Sequence, residues 1–317
     1  MILLWGLHED APLGAVYRVL QEWGAPVFFL DQYEVLDSSL TLHVGAHAEG
    51  VLRVGARDIR LEDISAAYIR PYDSAGLLRG PAARTRSSPY QHAVEFDACL
   101  WGWLDVTPAA IVNPLEAMAG NHSKPFQAAT IEAMGFEVPE TIVTTDKELA
   151  QSFWERHGTV VYKSVSGVRS IVSRLTVEHR NRLADIQWCP TQFQAYVPGT
   201  DVRVHVVGDD IFACEILSGA DDYRYADCQE TETRLRSYSL PADCADRCLR
   251  LAAHMGLVLA GIDLRCTSEG RWYCFEVNPS PGFTYFQDQT QQPIDRAIAQ
   301  LLIDAPHPPA HCRAIGM

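Results

Sequence analysis

Residues 256–263 read GLVLAGID, and residues 275–282 read FEVNPSPG. Both are apolar runs that carry acidic or amide groups near their ends: Asp263 closes the first, and Glu276 and Asn278 stand two apart in the second. Residues two apart on a strand project to the same face, so Glu276 and Asn278 point together. If the two strands are antiparallel neighbours, Asp263 joins them. Three hard oxygen donors suit magnesium while it bridges the phosphates of a nucleotide. The alternative is a set of ordinary polar residues at strand ends. An acidic pair inside such apolar strands is costly unless paired or metal-bound, which favours the metal site.

Upstream of these strands lie the cations a nucleotide would need. Lys124 opens a helix behind Ser123, a plausible N-cap, with Pro125 in the first turn. Lys163 ends the apolar strand 160–162 and leads into SVSGVRS, residues 164–170. In that loop the backbone and hydroxyls around Ser166 and Gly167 can cradle phosphate oxygens, with Arg169 as a charged donor. For either lysine, a solvated surface charge is the alternative. Asp201 and Arg203 stand two apart in PGTDVRVHVVG, residues 198–208. Arg203 can grip a carboxylate or phosphate at two points; an in-strand ion pair with Asp201 is the structural alternative. Arg224, in DDYRYAD, is either a docking point for a donor carboxylate or a surface charge.

The rest of the sequence sets the frame. With 317 residues, 47% of them hydrophobic and 21% charged, the chain can build two or three packed α/β units. Lys and Arg number 26 against 40 Asp and Glu, a net charge of -14. That balance disfavours nucleic acid and anionic membranes, so any nucleotide must be held by a local cation cluster or metal. The opening MILLWGLHEDAPLG lacks a basic n-region, and no apolar run nears the roughly 18 residues of a membrane helix. Nine scattered cysteines suit reduced thiols, and the expectation is a cytoplasmic protein. Cys244 and Cys248 share a helix face and read as buried apolar residues rather than a zinc site.

Three units are expected. Residues 1–114 alternate strand (2–4, 27–30, 67–69) with helix (15–23, 89–103), which implies a parallel sheet with helices on its faces. No GxGxxG follows the first strand, so this unit packs a substrate rather than NAD. Residues 115–190 read as a small α+β lid, with a helix over 124–134 and a capping box at Thr145 and Glu148. Residues 191–317 are mostly strand, with a hairpin turn at Gly208-Asp209-Asp210 and helices over 243–255 and 294–302.

The ordered set of Lys124, Lys163 with its Ser/Gly loop, TQFQAYVPGTDVRV, GIDLR and FEVNPSPG resembles the ATP-grasp superfamily over about residues 113–304. Within it, the chain is most similar to ribosomal-protein-modifying glutamate ligases and to maturases of graspetide (microviridin-type) peptides. The resemblance implies an ATP-grasp fold, α/β with an α+β lid, behind a Rossmann-like pre-ATP-grasp domain. It also implies a carboxylate–amine ligase that makes an amide or ester through an acyl phosphate. Lys124, Lys163, Ser166, Gly167 and Arg169 would then hold ATP phosphates, and Gln194, Ala195, Tyr196 and Val197 form the hinge whose backbone pairs with adenine. Asp201 falls near the ribose or substrate, and Arg203 meets the acyl phosphate. Asp263, Glu276 and Asn278 bind two Mg2+ ions, with Mn2+ as a substitute. Two departures stand out: the phosphate loop has one glycine where many relatives carry several, and Ala195 stands where a Glu is frequent. The implied partners are ATP and an amino acid or peptide, with no nucleic acid and no membrane; a homo-oligomer is left open. A phosphotransferase of similar fold and a non-catalytic ATP-binding regulator compete with the ligase. Retention of all three metal ligands argues against the regulator.

Overall fold

The computed structural model describes residues 1–44, 48–119, 124–165, 172–218 and 233–306. The N-terminal unit holds β1 (Ile2–Gly6), β2 (Val27–Asp31), β3 (Ser38–Val44), β4 (Ala48–Val54), β5 (Arg57–Arg60), β6 (Ala66–Ile69) and β7 (Ala110–Val112). Strands β2-β1-β6-β7 form a parallel sheet in that order. Strands β1 and β6 are buried along their whole length, as expected for strands covered on both faces. On one face lies α1 (Ala11–Glu22), which starts where the Asp10 carboxylate accepts the Leu13 N–H at 2.9 Å. It buries Leu13, Val16, Val19 and Leu20. On the other face, beyond the short α2 (Ser74–Leu77), lies α3 (Ser88–Val106), which buries Phe96, Leu100 and Trp103. Strands β3, β4 and β5 make a separate antiparallel sheet that the sequence reading missed.

Next come α4 (Leu115–Ala119), α5 (Lys124–Ala133), β8 (Thr141–Thr144), α6 (Lys147–His157), β9 (Val160–Ser164), β10 (Ser173–Arg174) and β11 (Thr191–Ala195). Strands β10-β9-β11-β8 form one antiparallel sheet. Because β11 is hydrogen-bonded along both edges, this unit runs past the expected boundary at 190 and ends after Ala195. At its other end, Ile131 of α5 and Phe136 pack into the core of the C-terminal unit rather than into the lid. Helix α6 is capped by Asp146, not by a Thr145 capping box: Asp146 Oδ1 accepts the N–H groups of Glu148 and Leu149.

The C-terminal unit is an antiparallel sheet in the order β14-β13-β12-β15-β16. Its strands are β12 (Thr200–Val207), β13 (Asp210–Ser218), β14 (Thr233–Tyr238), β15 (Leu259–Cys266) and β16 (Trp272–Asn278). The hairpin turn at Gly208 joins β12 to β13, with Gly208 at φ +57°. One face of the sheet, carrying Val202, Val204, Ile262, Leu264 and Val277, packs on α7 (Ala242–His254). Cys244 and Cys248 lie in that core, where each buried apolar side chain contributes about 1.5–3 kcal/mol. Helix α8 (Thr284–Thr290) lies near β14, and α9 (Ile294–Ile303) packs Ile294, Ile298 and Leu302 into one cluster with α1. The opposite face carries Asp201, Arg203, His205, Asp263, Glu276 and Asn278, and beside them Cys214 and Ile216 pack on Phe286 of α8. No helix among the described residues is long and apolar enough to cross a membrane.

Candidate active site

Cross-strand register assembles the site. In an antiparallel sheet, directly opposed residues share a face. Arg203 of β12 opposes Asp263 of β15, which opposes Glu276 of β16; one step along, His205 opposes Gly261, which opposes Asn278. The three oxygen donors foreseen from the sequence therefore stand on one face of neighbouring strands, beside Arg203. A bulge in β16 makes this work. Between Leu264/Cys274 and Asp263/Glu276 the register shifts, so Phe275 is an extra residue. Without it Glu276 would fall on the buried face.

Arg203 is buried, and its Nη1 donates to Asp263 Oδ1 at 2.6 Å. Asp201 is gripped at two points by Arg265, with Nε to Oδ1 at 2.7 Å and Nη2 to Oδ2 at 2.8 Å. The in-strand Asp201–Arg203 pair thus gives way to two pairs across strands. Arg265 Nη1 also donates to the Val197 carbonyl at 2.8 Å, tying the chain after β11 to β15. The Arg203 guanidinium lies over Gly261, where a Cβ would stand 2.7 Å from Cζ, 2.7 Å from Pro281 Cβ and closer still to Nη2. The ring of Phe286 covers Arg203 at 5.7 Å and meets His205 edge-on at 5.1 Å. Full burial, reinforced by the Arg203 charge, holds the His205 imidazole well below its ordinary range. It stays neutral and adds no second cation there.

Beside this face opens a cavity of about 310 Å³ between α5, the β8–β11 sheet and β16. Lys124, Lys163 and Glu276 line it with the polar side chains of Gln192 and Gln194, and Ile131, Val143, Val165 and Phe275 give it apolar walls. A lining that combines apolar side chains with two lysines and a carboxylate suits a nucleotide. Gln194 Nε2 donates to Thr141 Oγ1 at 3.0 Å. The N–H groups of Ala195 and Tyr196 donate to the carbonyls of Glu140 and Thr159, so those two donors are engaged within the sheet.

The RimK-like ATP-grasp domain family matches residues 123–302, more than half of the chain. The chain belongs to that family. It is a carboxylate–amine ligase of the ATP-grasp type, working with ATP. Among solved structures, the ATP-grasp chain is similar to macrocyclase MdnC from Microcystis aeruginosa MRC, bound with precursor peptide MdnA. That match has 21% identity and a TM-score of 0.82, and covers 96% of this chain and 99% of that one. It is similar as well to the ATP-grasp ligase PsnB complexed with a phosphomimetic variant of its minimal precursor, Mg and ADP, at 24% identity, TM-score 0.80 and coverage of 95% and 97%. A third is a Chryseobacterium gregarium RiPP-associated ATP-grasp ligase in complex with ADP and a leader and core peptide, at 23%, 0.79, 96% and 97%. At these identities the likeness establishes the ATP-grasp fold. No curated protein sequence matches.

The magnesium that the ATP-grasp family implies fits the donors present. Among the described residues no three His, Cys, Asp or Glu converge. With Asp263 and Glu276, the amide oxygen of Asn278 would be the third protein donor, and nucleotide phosphates and water would complete a hard-oxygen shell. Ser166, Gly167, Arg169 and Arg224 lie outside the described residues.

Two buried side chains that hold this part of the chain went unread in the sequence. Gln127, buried one turn after Lys124, donates from Nε2 to the Val277 carbonyl at 2.8 Å and accepts the Val277 N–H at 3.0 Å. It clasps the peptide unit between Glu276 and Asn278. Asn113 is buried: its Nδ2 donates to the carbonyls of Leu259 and Pro279, and its Oδ1 accepts from Val258 and Leu259. The spacing of Lys124 and Gln127, three apart on one helix face, is a local signal for Gln127 alone.

Arg203→Lys keeps the charge but loses the planar fork, so turnover should fall more than ATP affinity does. Steady-state kinetics set beside calorimetric ATP binding checks this; a lysine variant with wild-type turnover would rule out the two-point role.

Proposed function

We propose that the protein activates a carboxylate of a peptide substrate with ATP and joins it to an amine or hydroxyl of the same substrate, in the cytoplasm. The observation that carries this reading is the junction of the two-lysine cavity with the face bearing Arg203, Asp263, Glu276 and Asn278. The peptide as substrate is supported by the precursor peptides held by MdnC and PsnB. A carboxylate oxygen attacks the γ-phosphorus and ADP departs, leaving an acyl phosphate. The amine or hydroxyl then attacks the carbonyl carbon, phosphate leaves with the C–O electron pair, and the nucleophile's proton is lost.

Bringing two anions together needs positive charge at fixed positions. Lys124 and Lys163 hold nucleotide phosphates, helped by Ser166, Gly167 and Arg169. Gln194, Ala195, Tyr196 and Val197 flank the base, and Asp201 keeps that segment in place through Arg265. Arg203 meets the acyl phosphate, and Arg224 steers the acidic substrate. Two Mg2+ ions, or Mn2+ in their stead, would be held by Asp263, Glu276 and Asn278 and would neutralise the phosphate charge. The acidic surface keeps nucleic acid and membranes out of the partner set, and self-association is a separate property to be measured by sedimentation.

An Asp/Glu-rich precursor peptide incubated with ATP and Mg2+ should lose one water mass per bond formed while ADP and phosphate accumulate. A product heavier by a phosphoryl group would make the protein a kinase, and nucleotide binding with no ADP release would make it a regulator. Lys163→Ala should weaken ATP binding by more than about tenfold, on the order of 1.4 kcal/mol. Unchanged calorimetric affinity would remove Lys163 from the site.

A further inference from the structure

We propose that Arg70, in the N-terminal unit, is a positioning residue for the metal ligand Asn278 and acts through Ser280. The inference deepens the functional reading and rests on Asn278 being a ligand. Arg70 directly follows β6, and its N–H donates to the Trp5 carbonyl at 2.9 Å, extending the parallel sheet by one rung. Its side chain crosses to the other unit. Nη1 donates to Ser280 Oγ at 2.9 Å and to the Pro281 carbonyl at 3.2 Å, while Nε donates to Asp10 Oδ1 at 2.8 Å. The ion pair is nearly enclosed, with side chains 13% and 6% exposed, so both partners are held in one geometry. Asp10 is anchored in turn as the cap of α1. Gly6 lets the strands approach: a Cβ there would stand 3.0 Å from the Arg70 carbonyl oxygen.

Ser280 is the hinge of the relay. Its backbone N–H donates to Asn278 Oδ1 at 2.9 Å. An amide oxygen has two acceptor directions. With one taken by the Ser280 N–H, the other has no protein partner among the described residues and would serve a cation. If Ser280 swings, the amide rotates, and a metal would face N–H donors instead of oxygen. Partners that orient a ligand in this way carry a large share of a site's affinity.

The test reads metal affinity directly, by electron paramagnetic resonance of Mn2+ titrated into the full-length protein with saturating ADP. Arg70→Met and Ser280→Ala should each weaken Mn2+ binding by about tenfold, the lower end for such partners. The double variant should be no worse than the poorer single one, because both act on one path. Metal-free ADP affinity should not change. Asn278→Ala serves as the reference and should weaken Mn2+ binding as well. If Asn278→Ala loses Mn2+ while Arg70→Met keeps it and only melts earlier, Arg70 is a plain inter-unit clamp and the relay is wrong. Additive losses in the double variant would also overturn it. If Asn278→Ala binds Mn2+ like the wild type, the ligand assignment itself fails and the relay fails with it. Should Arg70→Met not fold, Ser280→Ala decides alone: it removes only the hydroxyl that Arg70 grips and leaves the backbone N–H in place.

Discussion

Glu276→Gln should cut turnover by about a hundredfold or more, about 2.7 kcal/mol of barrier, while the nucleotide-free protein melts where the wild type does. The substitution keeps size and shape and removes one negative charge. In the folded chain Glu276 opposes Asp263 across the strand pair and lines the nucleotide cavity. No ion pair ties Glu276 itself to the fold among the described residues, whereas Asp263 has Arg203. Loss of the charge therefore leaves the packing of β16 intact and relieves a like-charge neighbour. What it takes away is half of the carboxylate charge that a divalent ion needs beside triphosphate. ADP release and differential scanning fluorimetry together decide the matter. A variant that melts early yet turns over normally per folded molecule would return Glu276 to a structural part.

Gly261→Ala should lower turnover by about a hundredfold although it adds only a methyl group. The new Cβ would press on the Arg203 guanidinium from one side and on Pro281 from the other. Arg203 is walled in by Phe286 and held by Asp263, so it cannot simply swing aside. Either the Arg203–Asp263 contact breaks or the turn after Asn278 is pushed out. Overpacking of this kind costs about 1–3 kcal/mol of stability. Displacing a reacting group by about 1 Å costs on the order of a hundredfold in rate. Gly261 does not line the nucleotide cavity, so ATP affinity should stay within about twofold, well under the 1.4 kcal/mol of a tenfold change. Denaturant midpoints, calorimetry and turnover on one preparation separate the three effects. Wild-type turnover would show that Arg203 has room to move and that its present position is not required.

Much of this site could be read from the chain. The acidic and amide donors were legible because period two puts Glu276 and Asn278 on one face and because β15 and β16 are antiparallel neighbours. The parallel N-terminal sheet was legible from fully apolar strands spaced by amphipathic helices. Pairing between arginines and carboxylates was not, since it depends on register: Asp201 meets Arg265, and Arg203 meets Asp263, each 60 or more residues away. Asn113 shows the same limit, because its partners Val258 and Leu259 lie 145 and 146 residues on and an Asn-Pro dipeptide looks like any turn. The boundary expected at 190 fell one strand short, since nothing in TQFQAYV says which sheet it joins. Strands β3–β5 alternate apolar residues (Leu40 and Leu42, Leu52 and Val54, Ile59) with polar ones, a period-two signal that went unread, and they pair with one another as a separate sheet.

The clasp of Gln127 on Val277 has a mechanical consequence. Strand β16 is the border of its sheet, and the glutamine amide stands in for the peptide of an absent sixth strand. Helix α5 is thereby fastened to the strand that carries Glu276 and Asn278, which couples the position of Lys124 to those two side chains. Lys163 rides on a different sheet. A triphosphate gripped by both lysines would act as a strut between two jaws, only one of which is fixed to the strand of Glu276 and Asn278, and its length would set how far they close.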